Sequence, residues 1–290
     1  MGIYICIVSG LFWALFDLTR KISLKSINSN IILFLFFLGQ TFIFLIWFLI
    51  DDYQFNLKGY ILPGSFLIFI SIISAIYFMK ALKISELSLT IPLLSFTPLF
   101  SAILSALLLK ENLSSYQYLG LIFIIFGALI LYSKSLKLSD IFLSIKLIHQ
   151  NLGAKYMLLV SLLWSLTPIF DKICFKYSSI SLHGFIQASF MMLIFVILSL
   201  NTFRKELIKI KKNFKVLFLT IFIGIIATIL QFFAITLTLV PIMETLKRTI
   251  GQYCSVIFGK IYFKEAINKQ KIFGIIFLSF GIYNILYKSL

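Results

Sequence analysis

The stretch VPIMETLKRTIGQYCSVIFGK, residues 240–260, sets Glu244, Lys247 and Arg248 inside an otherwise apolar run. At 100° per residue on a helix these three side chains, with Gly251, Ser255 and Gly259, fall in an arc about 120° wide. Met243, Leu246, Ile250, Tyr253, Ile257 and Ile261 take the opposite side, which is expected to face lipid. Two cations and one acid on one face can hold an anion: a guanidinium grips a carboxylate or a phosphate bidentately, and an ammonium adds a point charge. Two quieter readings compete. Long cationic side chains near a helix end snorkel to an interface, and Glu244 and Arg248, four residues apart, can neutralise each other. Against them, Arg248 lies about 12 Å into a helix that begins at Val240, and a Glu244–Arg248 pair still leaves Lys247 as a net positive charge. Ionisable groups inside hydrocarbon are costly enough that a binding role is the default reading.

The whole chain shows that hydrocarbon is the relevant solvent. Of 290 residues 61% are hydrophobic and only 12% charged, and mean hydropathy is +1.06; a soluble domain is roughly 25% charged. Breaking at proline, glycine and charge clusters predicts ten spans: 3–19, 31–50, 61–82, 87–109, 116–133, 156–170, 183–202, 216–236, 240–263 and 271–287. A longer basic connection, 203–215, separates the seventh and eighth. Helices satisfy their own backbone in lipid, and the alternation of barrel strands is absent, so the expected fold class is an all-α membrane protein with ten transmembrane helices. The formal charge of +16 is spread between apolar runs rather than gathered on a soluble face, which argues against nucleic acid. The first span carries neither a basic leader nor a small-residue cleavage site and is expected to be retained. Cys6, Cys174 and Cys254 have no metal-ligand spacing and read as small core residues. No metalloprotease, serine-hydrolase or phosphate-loop motif is present, so the chain is not expected to be an enzyme or to need a cofactor.

The sequence also repeats itself. LFWALFDLTRKISLK (11–25) aligns with LLWSLTPIFDKICFK (162–176) at an offset of 151, pairing Trp13 with Trp164 and Lys21 with Lys172. Residues 107–131 align with 260–284 at an offset of 154, or near it, pairing Lys110-Glu111 with Lys264-Glu265, Gly120 with Gly274 and Gly127 with Gly281. Two halves, 1–146 and 153–290, each with an odd number of spans, must enter the membrane in opposite senses, an inverted repeat of the kind built into transporters. The repeat provides an internal control. The fourth span keeps a small-residue stripe, Thr97, Ser101 and Ser105, matching Gly251, Ser255 and Gly259, and such stripes pack membrane helices closely. At the positions of Glu244, Lys247 and Arg248 it has Thr90, Leu93 and Leu94, so packing does not require the charges.

The two halves, the block ALKISELSLTIPLLSFTPLFSAILSALLLKE (81–111), the glycine-bearing span after each Lys-Glu and SLLWSLTPIFDK (161–172) together resemble the drug/metabolite transporter superfamily, in its ten-helix EamA-domain branch. That resemblance implies a secondary carrier of small metabolites in a lipid bilayer, expected here in a bacterial inner membrane as a monomer or homodimer. It implies a central cavity lined by spans 3, 4, 8 and 9, helped by 1 and 6. The phosphate-translocating branch of the superfamily is similar in its Lys-Arg pair on the penultimate helix but also uses a cation from helix 4, where this chain has Leu93 and Leu94. A carboxylate-bearing metabolite, an amino acid or derivative, is therefore the expected substrate, with phosphorylated metabolites the alternative.

Around Glu244, Lys247 and Arg248, the candidate substrate-binding residues are Trp13, Trp164, Tyr77, Thr90 and Gln231. Asp17 and Asp171 are candidate coupling carboxylates, or interfacial ion pairs beside Arg20 and Lys172; an intramembrane enzyme built on the same two acids is the reading from another class. His149 and His183 are expected to be solvated at membrane edges. Nineteen of the 26 Lys and Arg fall on one side of the membrane and five on the other, which has both termini. Positive-inside asymmetry then puts the termini outside, whereas the resemblance implies that they are inside.

Overall fold

The computed structural model describes residues 1–84, 91–133, 151–263, 267 and 269–287. Among them are ten α-helices: α1 (Gly2–Ser23), α2 (Ser29–Ile50), α3 (Leu57–Ile84), α4 (Thr97–Leu109), α5 (Ser115–Tyr132), α6 (Leu152–Cys174), α7 (Ile180–Lys212), α8 (Phe214–Leu237), α9 (Val240–Phe263) and α10 (Lys269–Leu286). Six of them, α1, α2, α3, α6, α7 and α8, are long and apolar enough to cross a membrane. The helix starts are signalled locally. Asn28 accepts the Asn30 N–H at 2.9 Å before α2, Ser114 and Gln117 form a capping box at α5, and Ser179 accepts the Leu182 N–H at 3.3 Å before α7.

Most helices extend the expected spans by a few residues, and two differ more. The basic segment 203–215 is not a loop: α7 runs on to Lys212, and α8 begins at Phe214. Glu206 secures the extension, accepting a hydrogen bond from Lys209 at 2.7 Å and one from the Asn28 N–H at 3.1 Å. The fourth span is not one helix either. Residues Ile91–Phe96 form a 3₁₀ turn before α4, as Pro92 and Pro98 each remove a backbone donor and disfavour the α conformation just before them.

The chain divides into two compact units, Met1–Ile72 with Phe170–Leu237, and Ile73–Ile169 with Thr238–Leu290, so each unit draws on both halves of the sequence. In the first, α1 packs on α8 and α2 on α7. Its core includes the mutually tilted rings of Phe16, Phe36 and Phe37, and Gln40 donates to Thr228 at 2.7 Å. In the second unit α5 packs on α10 and α4 on α9. The α5–α10 contact depends on glycine: a Cβ on Gly120 would lie 2.7 Å from the carbonyl oxygen of Gly281, and one on Gly127 would lie 2.9 Å from that of Gly274.

Candidate functional site

The charges of α9 are placed by the way the helix starts. The Val240 N–H donates to the Glu111 carboxylate at 2.8 Å, which puts an acid at the positive end of the helix. Pro241 sits in the first turn, where its missing donor costs nothing. The hydroxyls of Thr245 and Thr249 bond back to the carbonyls of Pro241 and Thr245 at 2.6 and 2.8 Å, and so are satisfied within the helix. Glu244 follows on the next turn and is fully buried. Its carboxylate pairs with Lys247 through Oε1, and Oε2 lies 3.5 Å from Nε of Arg248.

Lys247 and Arg248 do not snorkel: their side chains are only 10% and 16% exposed. Nor is Arg248 the close partner of Glu244, because the lysine takes that place. The guanidinium carbon instead lies 4.9 Å from the ring centroid of Trp164 on α6, a cation–π distance. Trp164 is braced in turn by Phe78 of α3 at 4.8 Å. One carboxylate thus faces two cations, and the cluster carries a net positive charge. Among the described residues, Arg248 Nε and Glu244 Oε2 are buried without a hydrogen-bond partner, as are Ser101 Oγ, Ser105 Oγ and Gln252 Oε1 on α4 and α9. Buried polar atoms are usually satisfied, so this concentration makes the facing turns of α4 and α9 the candidate site, although Arg248 Nε and Glu244 Oε2 face each other at 3.5 Å.

The small-residue stripe of α9 needs correction. A Cβ on Gly251 would meet nothing within 4 Å, so this glycine opens space one turn beyond Lys247 rather than admitting a neighbouring backbone. Ser255 is half-buried and bonds its own helix at Gln252 O, 2.8 Å. The surroundings of Gly259 lie outside the described residues. On α4 the stripe is buried as expected, with Thr97, Ser101 and Ser105 fully enclosed and Thr97 bonded to Ser161 at 3.0 Å. The face expected to meet lipid is also different. Met243, Leu246 and Ile250 are buried, because the first three turns of α9 are enclosed all round; only from Ile257 and Ile261 on does that side open.

Of the other expected site residues, Trp164 joins the cluster and Tyr77 lies in the same unit, its ring tilted against Tyr156 at 4.9 Å with Lys80 over it. Trp13, Gln231, Asp17 and Asp171 belong to the other unit. Trp13 packs edge-on against Phe16, and Gln231 is buried. Thr90 lies outside the described residues. Asp17 pairs with Arg20 at 2.6 Å and is largely exposed. Asp171 is not an interfacial acid: it is buried, and its Oδ1 meets Nε2 of His183 at 3.0 Å. His183, expected to be solvated, is wholly buried. The reason is the turn between α6 and α7: Asp171 precedes its start by one helical turn and His183 follows its end by one, which folds the two side chains together. His149 lies outside the described residues. Phe78 was not anticipated, since nothing marks one phenylalanine among 33.

A family model described as the EamA-like transporter family matches the sequence twice, over residues 1–133 and 151–287. The chain belongs to the EamA-like transporter family. It is thus an integral multi-pass membrane protein of a family that transports small molecules. No curated protein matches the sequence. A solved crystal structure is similar to this EamA-like chain in fold, with a TM-score of 0.74 and 12% identity over 99% of this chain and 97% of the other.

Proposed function

We propose that the protein is a secondary carrier that moves a small carboxylate-bearing metabolite, an amino acid or derivative, across a bacterial cytoplasmic membrane by alternating access, with Arg248 as the group that holds the carboxylate. The observation that carries this reading is the imbalance on α9. Lys247 takes the close contact with the Glu244 carboxylate, and the guanidinium of Arg248, spread against Trp164, is held only loosely by that acid, its Nε 3.5 Å from Oε2 and without a hydrogen bond. A planar guanidinium backed by an aromatic wall suits a planar carboxylate, and the open space beside Gly251 gives the rest of the molecule room. The absence of a third cation at Leu93, which is buried, favours a carboxylate over the more highly charged phosphate.

Alternating access rests on an inverted repeat of ten crossings, 1–146 and 153–290. Its support is that helices in corresponding positions pack on each other: α2 on α7, α4 on α9, α5 on α10. The glycines do so reciprocally. Gly120 meets Gly281 and Gly127 meets Gly274, the exchange of partners expected of two copies related by a two-fold axis. Asp17 and Asp171 are the carboxylates available for ion coupling, and Tyr77, in the same unit as Arg248, is a further candidate for substrate contact; Trp13, Gln231 and Thr90 are candidates on their place in the sequence.

Thermal unfolding of the purified protein against a panel of amino acids, other small carboxylates and phosphate monoesters tests the substrate class, since a ligand that binds the folded state raises its stability. Protection by a carboxylate in the parent and not in Arg248→Ala supports the proposal. Protection by phosphate monoesters alone transfers it to phosphorylated metabolites, and protection by neither class overturns it.

A further inference from the structure

A second buried polar cluster lies in the other compact unit. Tyr60, near the start of α3, places its hydroxyl 2.9 Å from Nδ1 of His183, and Nε2 of the same ring lies 3.0 Å from Oδ1 of Asp171. All three residues are buried. An ionised carboxylate only accepts, so Nε2 carries the hydrogen toward Asp171, and Nδ1 of the neutral ring accepts from the Tyr60 hydroxyl. Gln187 donates to that same hydroxyl at 3.5 Å and to the Gly64 carbonyl at 3.2 Å.

Aromatic rings form much of the remaining wall. Phe175 and Phe232 stand edge-on to the imidazole at 5.0 and 5.5 Å, and α2 contributes Phe44 against the adjoining Gly184. The titratable groups facing the site are Tyr60 from α3, and Asp171 and Cys174 from α6. Lys172 follows Asp171 along α6, and Asp51, in the turn after α2, accepts from Ser181 two residues before the histidine. Phe55 and Phe175, which cover Tyr60 and His183, also line an open cleft with Asp52, Asn56, Lys176 and Tyr177, so one acid and one base stand on its rim. Water thus reaches the far side of the two rings that roof the cluster.

We propose that the Tyr60–His183–Asp171 chain is a proton-binding site, and that it takes up the proton that drives transport. A proton arriving from water converts the neutral imidazole to imidazolium. Nδ1–H then donates to the Tyr60 oxygen, whose own hydrogen rotates away, while Nε2–H keeps its bond to Asp171. Both ring nitrogens are therefore bonded in both states. Adding the proton places a positive charge against the buried Asp171 carboxylate, and removing it takes that charge away, so each state changes what the ends of α3, α6 and α7 hold between them. The driving role rests on the carrier reading above; the binding of the proton does not.

The sequence has two histidines, so His149→Gln leaves His183 as the single reporter in protein labelled with ¹⁵N-histidine. Across about pH 5 to 9, a range around the ordinary imidazole value, its nitrogen signals should follow one reversible single-proton curve with the helical circular dichroism unchanged. Asp171→Asn should displace the midpoint by more than about one pH unit, and Tyr60→Phe should alter the Nδ1 signal. A flat response, or a curve that neither variant moves, overturns the proposal. In proteoliposomes given a mixture of ¹⁴C-labelled amino acids, His183→Gln should keep exchange at equal pH and lose accumulation driven by a pH gradient. Equal loss or equal retention of both refutes the driving role. If the parent transports none of the mixture, the amino-acid reading fails on its own, and the histidine titration still decides whether the proton site exists.

Discussion

Replacing Glu244 by glutamine removes the one anion from a cluster of three charges and leaves its shape nearly unchanged. The carboxylate is fully buried, in contact with Lys247 and 3.5 Å from Arg248. Breaking a buried pair by deleting one partner costs about 3–5 kcal/mol, because the other charge is left uncompensated. The low end applies, since both cations retain a little exposure, 10% and 16%, through which water reaches them. A loss of about 3 kcal/mol lowers the unfolding temperature of a chain this size by roughly 6–12 °C, readable by differential scanning fluorimetry in detergent. The double variant Glu244→Gln/Lys247→Met removes one of the orphaned cations and should recover more than half of the loss, a coupling that a double-mutant cycle measures. A single variant within about 2 °C of the parent, or a double variant less stable than the single, would refute the view that this carboxylate is the internal counter-ion.

Gly251→Ala should be neutral or stabilising by up to about 1 kcal/mol, because its Cβ meets nothing, whereas Gly120→Ala, aimed at the Gly281 carbonyl, should destabilise clearly; similar unfolding temperatures for the two would contradict the assigned packing. Glu111→Gln weakens the anchor of α9 at Val240 and should cost about 1 kcal/mol in the same thermal assay, against no change if the contact does not form. The distribution of lysine and arginine predicts that a cysteine at position 2 is labelled by impermeant maleimide in intact cells; protection there, with labelling after lysis, would reverse the orientation.

The helices were legible because hydrocarbon leaves the backbone so few options. The penultimate span was expected at 240–263 and forms there, bounded by Val240-Pro241 and by the charges beyond Phe263. The extension of α7 was not legible, since charged residues read as a loop when the tertiary partner of Glu206, the Asn28 N–H, is unknown. Sequence periodicity placed Glu244, Lys247 and Arg248 on one face, and the structure brings them together. It could not tell which of two adjacent polar faces packs: Thr245, Thr249 and Gln252 are buried, while Gly251 looks into open space. The Trp164–Arg248 contact joins residues 84 positions apart, beyond any local pattern. The burial of His183 is not legible from its place near a span end, which suggests water, although its spacing from Asp171 across a short turn is a usable signal.

Transport by three forms of residue 248 tests the central claim most directly. Uptake of the carboxylate that protects the parent in the thermal screen should be measured for the parent, Arg248→Lys and Arg248→Ala at matched expression. A charged hydrogen bond lost from a buried site is worth about 1.5–3 kcal/mol, so alanine should raise the half-saturating concentration by roughly ten- to a hundredfold, with lysine between. Unchanged half-saturation in both variants would contradict the assignment of Arg248 as the group that holds the substrate.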